Sequence, residues 1–267
     1  MRTALGLSLA ASLLLASGAL ADTANSEPEA PRHDVHWSFE GPMGLYDPQQ
    51  LQRGFQVYKE VCSACHSLNR VAFHTLSEPG GPGFTEEQAK AIAATYKIPA
   101  DPNDQGELFD SSGNRLTRPG TIADYFTPPF ANEQAARAAN NGALPPDLSV
   151  IVKAREGGPN YVFSILTGFG KTPPAGFHVL DGKYYNPWFA GRNISMPPPL
   201  TDGSVTYADG TKATVEQEAQ DVVAFLEWSA EPKMDERKQI GFGAMIFLIF
   251  LSGLAYLAYR RLWRDMH

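Results

Sequence analysis

Between residues 47 and 230, apolar positions recur at helical spacing in four stretches. In "YDPQQLQRGFQVYKE", Leu51, Phe55 and Tyr58 share one helical face, behind Asp47 as N-cap and Pro48 at the first helical position. Thr85 and Gln88 are spaced as a capping box for "EEQAKAIAATYK". Pro159 opens "NYVFSILTGF", which stops at Gly168. Thr214 with Gln217 caps "VEQEAQDVVAFLEWSA", where Ala219, Val222, Val223 and Leu226 mark a buried face. The connections are rich in Gly and Pro and read as ordered loops. Aromatic runs such as "YYNPWF" are too few for a substantial sheet. The pattern predicts a mainly α fold with long loops, without internal repeats or low-complexity tracts.

At both ends the periodicity gives way to continuous apolar runs. Arg2, the run Leu5 to Leu15 and the small-residue site Ala19-Leu20-Ala21 predict a cleaved export signal over residues 1–21. Gln239 to Tyr259 carry no charge, about the 20 apolar residues a membrane-crossing helix needs. Arg260, Arg261 and Arg264 follow and place that end in the cytoplasm. Tyr256, Tyr259 and Trp263 sit where interfacial aromatics belong. The expected organisation is an exported domain over residues 22–237, a single C-terminal anchor helix over 238–260 and a short cytoplasmic tail over 261–267.

Charge adds a preference about partners. The chain has 22 basic and 29 acidic side chains. Without Arg2, Lys238, Arg260, Arg261, Arg264 and Asp265, the exported part keeps 17 against 28, a formal −11. Such a surface repels nucleic acid and steers a basic partner at salt-dependent rates.

The chemistry is concentrated in "VCSACHSL", which holds both cysteines of the chain, Cys62 and Cys65, with His66 directly behind. A disulfide across two residues closes a small, strained loop. Redox pairs of this spacing usually begin a helix in a βαβ setting, and no strand pattern precedes this one. Zinc needs four ligands, and the six histidines show no second paired spacing. Covalent haem remains: two thiols add to the haem vinyl groups, and the adjacent histidine reaches the iron. For the opposite face of the iron, Met196 in "NPWFAGRNISMPPPL" is favoured, because three following prolines hold the chain rigid. Met43 lies on the side that His66 already occupies, and Met234 sits beside the charged stretch before the anchor. His74 and His178 are the competing ligands.

These residues carry a resemblance. "GFQVYKEVCSACHSL", "ARAANNGALPPDLSVIVKAREGGPNYVFSILTGF", "YYNPWFAGRNISMPPPL" and "EPKMDERKQIGFGAMIFLIF" together resemble the cytochrome c1 family, haem-bearing subunits of quinol–cytochrome c reductase (bc1) complexes. The Cys-x-x-Cys-His motif alone is common to c-type cytochromes, whereas "NNGALPPDLS" with one C-terminal anchor is specific. The resemblance implies an enlarged cytochrome c-like helical domain with one covalently bound haem c. It implies Cys62 and Cys65 as thioether attachments and His66 and Met196 as axial ligands. It also implies Arg155 and Tyr161 near the haem propionates, and Asn140, Pro145, Pro146 and Ile194 lining the pocket. As function it implies an electron relay from the Rieske iron–sulfur protein to a soluble basic cytochrome c, in a dimeric complex with cytochrome b. The chain would be an electron-transfer subunit, no enzyme by itself, set in a bacterial inner membrane with the haem domain on the periplasmic side. Some bacterial relatives carry an extra disulfide, for which this chain has no cysteine left. A rival of another class is an anchored haem enzyme or gas sensor, which requires an open sixth iron position.

Overall fold

The structure, a computed structural model, describes residues 28–32 and 34–264. The leader expected over residues 1–21 falls outside them. Among the described residues six α-helices occur in the order α1 (Pro48–Glu60), α2 (Glu86–Ala94), α3 (Glu133–Ala139), α4 (Gly158–Thr167), α5 (Val215–Ala230) and α6 (Met234–Trp263). The strands are short. β1 (Lys97–Pro99) pairs antiparallel with β2 (Thr117–Pro119), and β3 (Tyr184–Tyr185) with β4 (Asn193–Ile194). The fold is mainly α with two small ribbons and long loops.

Local chemistry explains the helix ends. Asp47 accepts from Gln49 N at 3.0 Å, and Pro48 begins α1. Thr85 and Gln88 cap α2 reciprocally, at 3.2 and 2.8 Å. α2 stops at Ala94, short of the stretch its sequence pattern covers. Pro99 disfavours helical backbone at Ile98, and Tyr96 turns inward to meet Phe73 and Phe126 with ring centroids 5.0 and 5.2 Å away. Thr214 accepts from Gln217 N at 3.2 Å, while the Gln217 amide reaches Asp221 at 3.0 Å. α3 has no apolar stripe beyond alanines, and the pattern of hydrophobic positions gave no sign of it. Asn132 caps it by accepting from Ala135 N at 2.8 Å.

The core forms where α1 crosses α5. Leu51, Phe55, Val57 and Tyr58 of α1 meet Ala219, Val222, Phe225 and Trp228 of α5, all buried. Each fully buried Leu or Phe side chain contributes about 1.5–3 kcal/mol relative to exposure. The crossing is close because of Gly54. A Cβ there would fall 2.0 Å from the Asp221 carbonyl oxygen. Asp221 is fully buried, and Arg53 binds both its oxygens, at 2.9 and 3.3 Å.

α6 is different. Of this 30-residue helix only Met234 is buried; Asp235 and Lys238 are half-buried, and from Gln239 to Tyr259 the helix is exposed and largely apolar. At 1.5 Å per residue it runs about 45 Å, and it is the one described helix long and apolar enough to cross a membrane.

Candidate functional site

After α1 the chain tightens into a 3₁₀ turn, Cys62–Ala64. The backbone N–H groups of Cys65 and His66 both donate to the Cys62 carbonyl, at 3.1 and 2.9 Å. α1 therefore delivers Cys62, Cys65 and His66 on one turn at the edge of the core. Cys62 packs against that core while Cys65 is exposed. Burial, with a contribution from Cys65, pushes the Cys62 thiol up to about 12. A redox cysteine needs the opposite shift.

His66 is held from behind. Its Nδ1 lies 2.8 Å from the Pro146 carbonyl oxygen, which can only accept, so Nδ1 carries the proton. Nε2 is then left with a lone pair, as a metal-binding imidazole requires. Burial lowers the pKa of His66 against the opposing influence of Pro146 and Asp147, and favours this neutral form.

The Pro146 carbonyl is itself positioned by its neighbour. Asp147 accepts from Ser67 Oγ and Asn69 N, both at 2.8 Å, and from Ser149 N at 2.9 Å. Leu148 N donates to the Ser67 carbonyl at 2.9 Å. Burial raises the Asp147 carboxyl, but these hydrogen bonds outweigh it and hold the group below the usual carboxylate range. "PPDLS" is thus docked along "HSLN". Asp147 and Ser67 were not among the residues expected at the site. An Asp that binds the N–H two residues on is a known turn signal and was visible in the sequence.

A second wall stands apart from the main core. Ile165, Trp188 and Ile194 form a separate buried cluster, against which Tyr161, Phe169, Phe189 and Met196 pack. α4 separates the two clusters: Val162, Phe163 and Leu166 face the main core, and Tyr161 and Ile165 the second wall. Asn186, fully buried, fastens the wall to α4. Its amide donates to the Ile165 carbonyl at 2.8 Å and its Oδ1 accepts from Trp188 N at 3.2 Å. Gly168 permits this approach, since a Cβ there would lie 2.6 Å from both Asn186 Oδ1 and Trp188 Cε3. Asn186 was also missed; a lone Asn before Pro reads as a turn residue.

The other expected residues are distributed as follows. Ile194 and Met196 share the second wall, and Tyr161 joins them from α4. Arg155 lies exposed in the loop before α4, bonded to the Ala154 carbonyl at 2.9 Å. It is near enough to Tyr161 to act on its phenol, whose pKa burial raises and Arg155 lowers. Asn140 closes α3, its amide donating to the Ala136 carbonyl at 2.7 Å. Pro145 is half-buried beside Pro146. Of the competing ligands, His74 is 48% exposed and faces Glu78 at 3.6 Å, and His178 is exposed.

The donor set fits a covalently held haem. Two thiols and an imidazole with a fixed proton share one turn, and an apolar wall carries a thioether. It fits zinc poorly: among the described residues no three His, Cys, Asp or Glu side chains are grouped to hold a metal ion.

Comparison with known proteins agrees with this geometry. The model of the Cytochrome C1 family matches residues 37–266. The chain is 46% identical over 279 residues to Cytochrome b/c1 of Bradyrhizobium diazoefficiens, covering 98% of this chain but only 40% of that longer protein. It is 45% identical to Cytochrome c1 of Rhodospirillum rubrum, across 97% of this chain and 96% of the relative. With mitochondrial Cytochrome c1 1, heme protein, of Arabidopsis thaliana it shares 46% identity over 97% of this chain and 80% of the relative.

Proposed function

The chain belongs to the cytochrome c1 family, and from that membership we propose that it relays single electrons from a Rieske iron–sulfur protein to a soluble basic cytochrome c. In this reading Cys62 and Cys65 form thioethers to one haem c, and His66 and Met196 are its axial ligands. Arg155 and Tyr161 serve the propionates, and Asn140, Pro145, Pro146 and Ile194 line the pocket. When bound, haem supplies a one-electron iron couple whose potential a thioether ligand raises. The chain's own residues attach and orient it, exclude water and set its axial field.

The observation that carries the reading is the hydrogen bond from His66 Nδ1 to Pro146. It fixes the tautomer that leaves Nε2 free to ligate, on the turn that bears both thiols. The exposure of His74 and His178 favours Met196, half-buried in its apolar wall.

The anchoring is single-pass, through α6. We place the haem domain, residues 22–237, on the periplasmic side of a bacterial inner membrane and residues 261–267 in the cytoplasm. The basic residues after Tyr259 support that orientation. Cytochrome b and a Rieske protein are the proposed partners, in a dimeric complex. The name of the Bradyrhizobium relative, which joins b to c1, supports the first of them.

Replacing Met196 by Leu tests the axial assignment. Haem should stay on the polypeptide in a denaturing gel, because the thioethers are untouched, while the midpoint potential falls. An unchanged midpoint would remove Met196 and return attention to His74 and His178.

A further inference from the structure

The segment before α1 makes a closed loop from Trp37 to Tyr46. Glu40 N donates to the Trp37 carbonyl at 3.1 Å and Leu45 N to the Ser38 carbonyl at 3.0 Å. Trp37, Phe39 and Tyr46 root its base in the core, each at most 6% exposed. Its tip faces outward. Met43 is 71% exposed, more than any other large hydrophobic residue described outside α6, and Leu45 is 44% exposed.

This tip is clipped to the start of the membrane helix. Lys238 Nζ donates to the carbonyls of Phe39, Gly41 and Gly44, at 2.7, 2.8 and 2.8 Å. An ammonium has three donors, and all three are used on one loop. Asp235, one turn earlier, accepts from Tyr46 N at 3.3 Å on each oxygen. Gly41, at φ +72°, makes the turn that brings the carbonyls together.

The height of the loop follows from the helix. Side chains tilt towards a helix N-terminus, so Lys238 reaches back from the membrane and grips the loop within about one turn, 5.4 Å, of its own level. The uncharged run of α6 begins at Gln239. The headgroup zone of one leaflet is about 5–7 Å deep, half the difference between a whole bilayer and its hydrocarbon core. The loop therefore stands at headgroup level, continuous with the lipid-facing surface of α6. Glu40 is exposed and charged, which suits headgroups and forbids deeper burial.

We propose that Gly41–Leu45 is a second membrane contact, with Met43 and Leu45 set into the headgroup–acyl boundary of the leaflet that α6 enters and Lys238 as the clip that holds them there. The contact fixes how the exported domain stands over the membrane, which one helix leaves free to rotate and tilt.

The test uses the full-length holoprotein in lipid nanodiscs. Haem attachment consumes Cys62 and Cys65, so Met43→Cys and Leu45→Cys each offer a single thiol for an environment-sensitive fluorophore. This step rests on the proposed haem linkage. Dye uptake by the unsubstituted protein would show that reading, and not the loop's placement, to be at fault. Lipids brominated near the headgroup should cut emission from both positions, and lipids brominated near the chain end should cut it less. Leu180→Cys, in the loop leading to β3 and 59% exposed in the native chain, should be insensitive to both. Lys238→Met should abolish the quenching at position 43 while α6 stays inserted. Emission at Met43→Cys indifferent to brominated lipid would overturn the proposal. So would shielding from lipid and water alike in the assembled complex, which would assign the tip to a protein partner.

Discussion

Gly54→Ala tests the helix crossing on which the site is built. The added Cβ would lie 2.0 Å from the Asp221 carbonyl oxygen and 2.7 Å from Phe225 Cβ. Carbon and oxygen in contact ordinarily stand about 3.3–3.6 Å apart, so α1 and α5 must separate by more than about 1 Å at their closest point. Neither partner yields easily, because the obstacle is backbone and Asp221 is pinned by Arg53. Overpacking of this kind costs about 1–3 kcal/mol, occasionally more. A better helix former returns up to about 1 kcal/mol. A net loss near 2 kcal/mol is expected, which lowers Tm by about 4–8 °C in a domain of this size. Thermal unfolding followed by far-ultraviolet circular dichroism would read it, with haem content measured in parallel because α1 carries the attachment turn. Gly243→Ala, where no atom lies within 4 Å, is the matched control and should be nearly silent. A Gly54→Ala protein that melts with the wild type would refute the close crossing.

Two further outcomes follow from charge. Asp124 is held below the usual carboxylate range by Arg118 and by the Thr121 N–H, so this pair adds stability above the unfolded carboxylate pKa of about 3.9 and loses it as pH falls through the lower folded value. Arg118→Ala should lower stability only slightly at pH 7, as exposed ion pairs contribute little, and urea titrations across pH should show the gap to wild type closing in acid; a gap constant to pH 2 would mean that it does not arise from the charge pair. Residues 22–237 carry a formal −11, so stopped-flow electron transfer to a basic cytochrome c should slow with added salt; a rate flat in salt would mean that docking rests on apolar contact.

What the sequence made legible was local. Asp47, Thr85 and Thr214 cap the helices their neighbours suggested, and Pro159 and Gly168 bracket α4, because each signal acts within one turn of its own position. α2 ended early because Tyr96 is claimed by rings from distant segments, which no local pattern records. The same division runs through the site. Cys62, Cys65 and His66 announce themselves by spacing. The wall at Ile165, Trp188 and Ile194 exists only because Asn186 joins segments 21 residues apart, and the sequence reads that residue as a turn.

Methionine shows most plainly how context decides a residue's use. Met43, Met196 and Met234 have the same side chain and were weighed for the same role. Met234 sits 4% exposed in the core at the foot of α6, where its flexible chain fills a gap. Met196 lies half-buried against Trp188 and Ile194, in a loop stiffened by three prolines. Met43 is held out from the protein by glycines and by a lysine whose place in the sequence marks only the edge of an apolar run. The clip joins residues 194 to 199 positions apart, so its partners could not be read from either end alone. Position in the fold thus gives one side chain three surroundings: the core for Met234, an apolar wall for Met196 and an outward-facing loop tip for Met43.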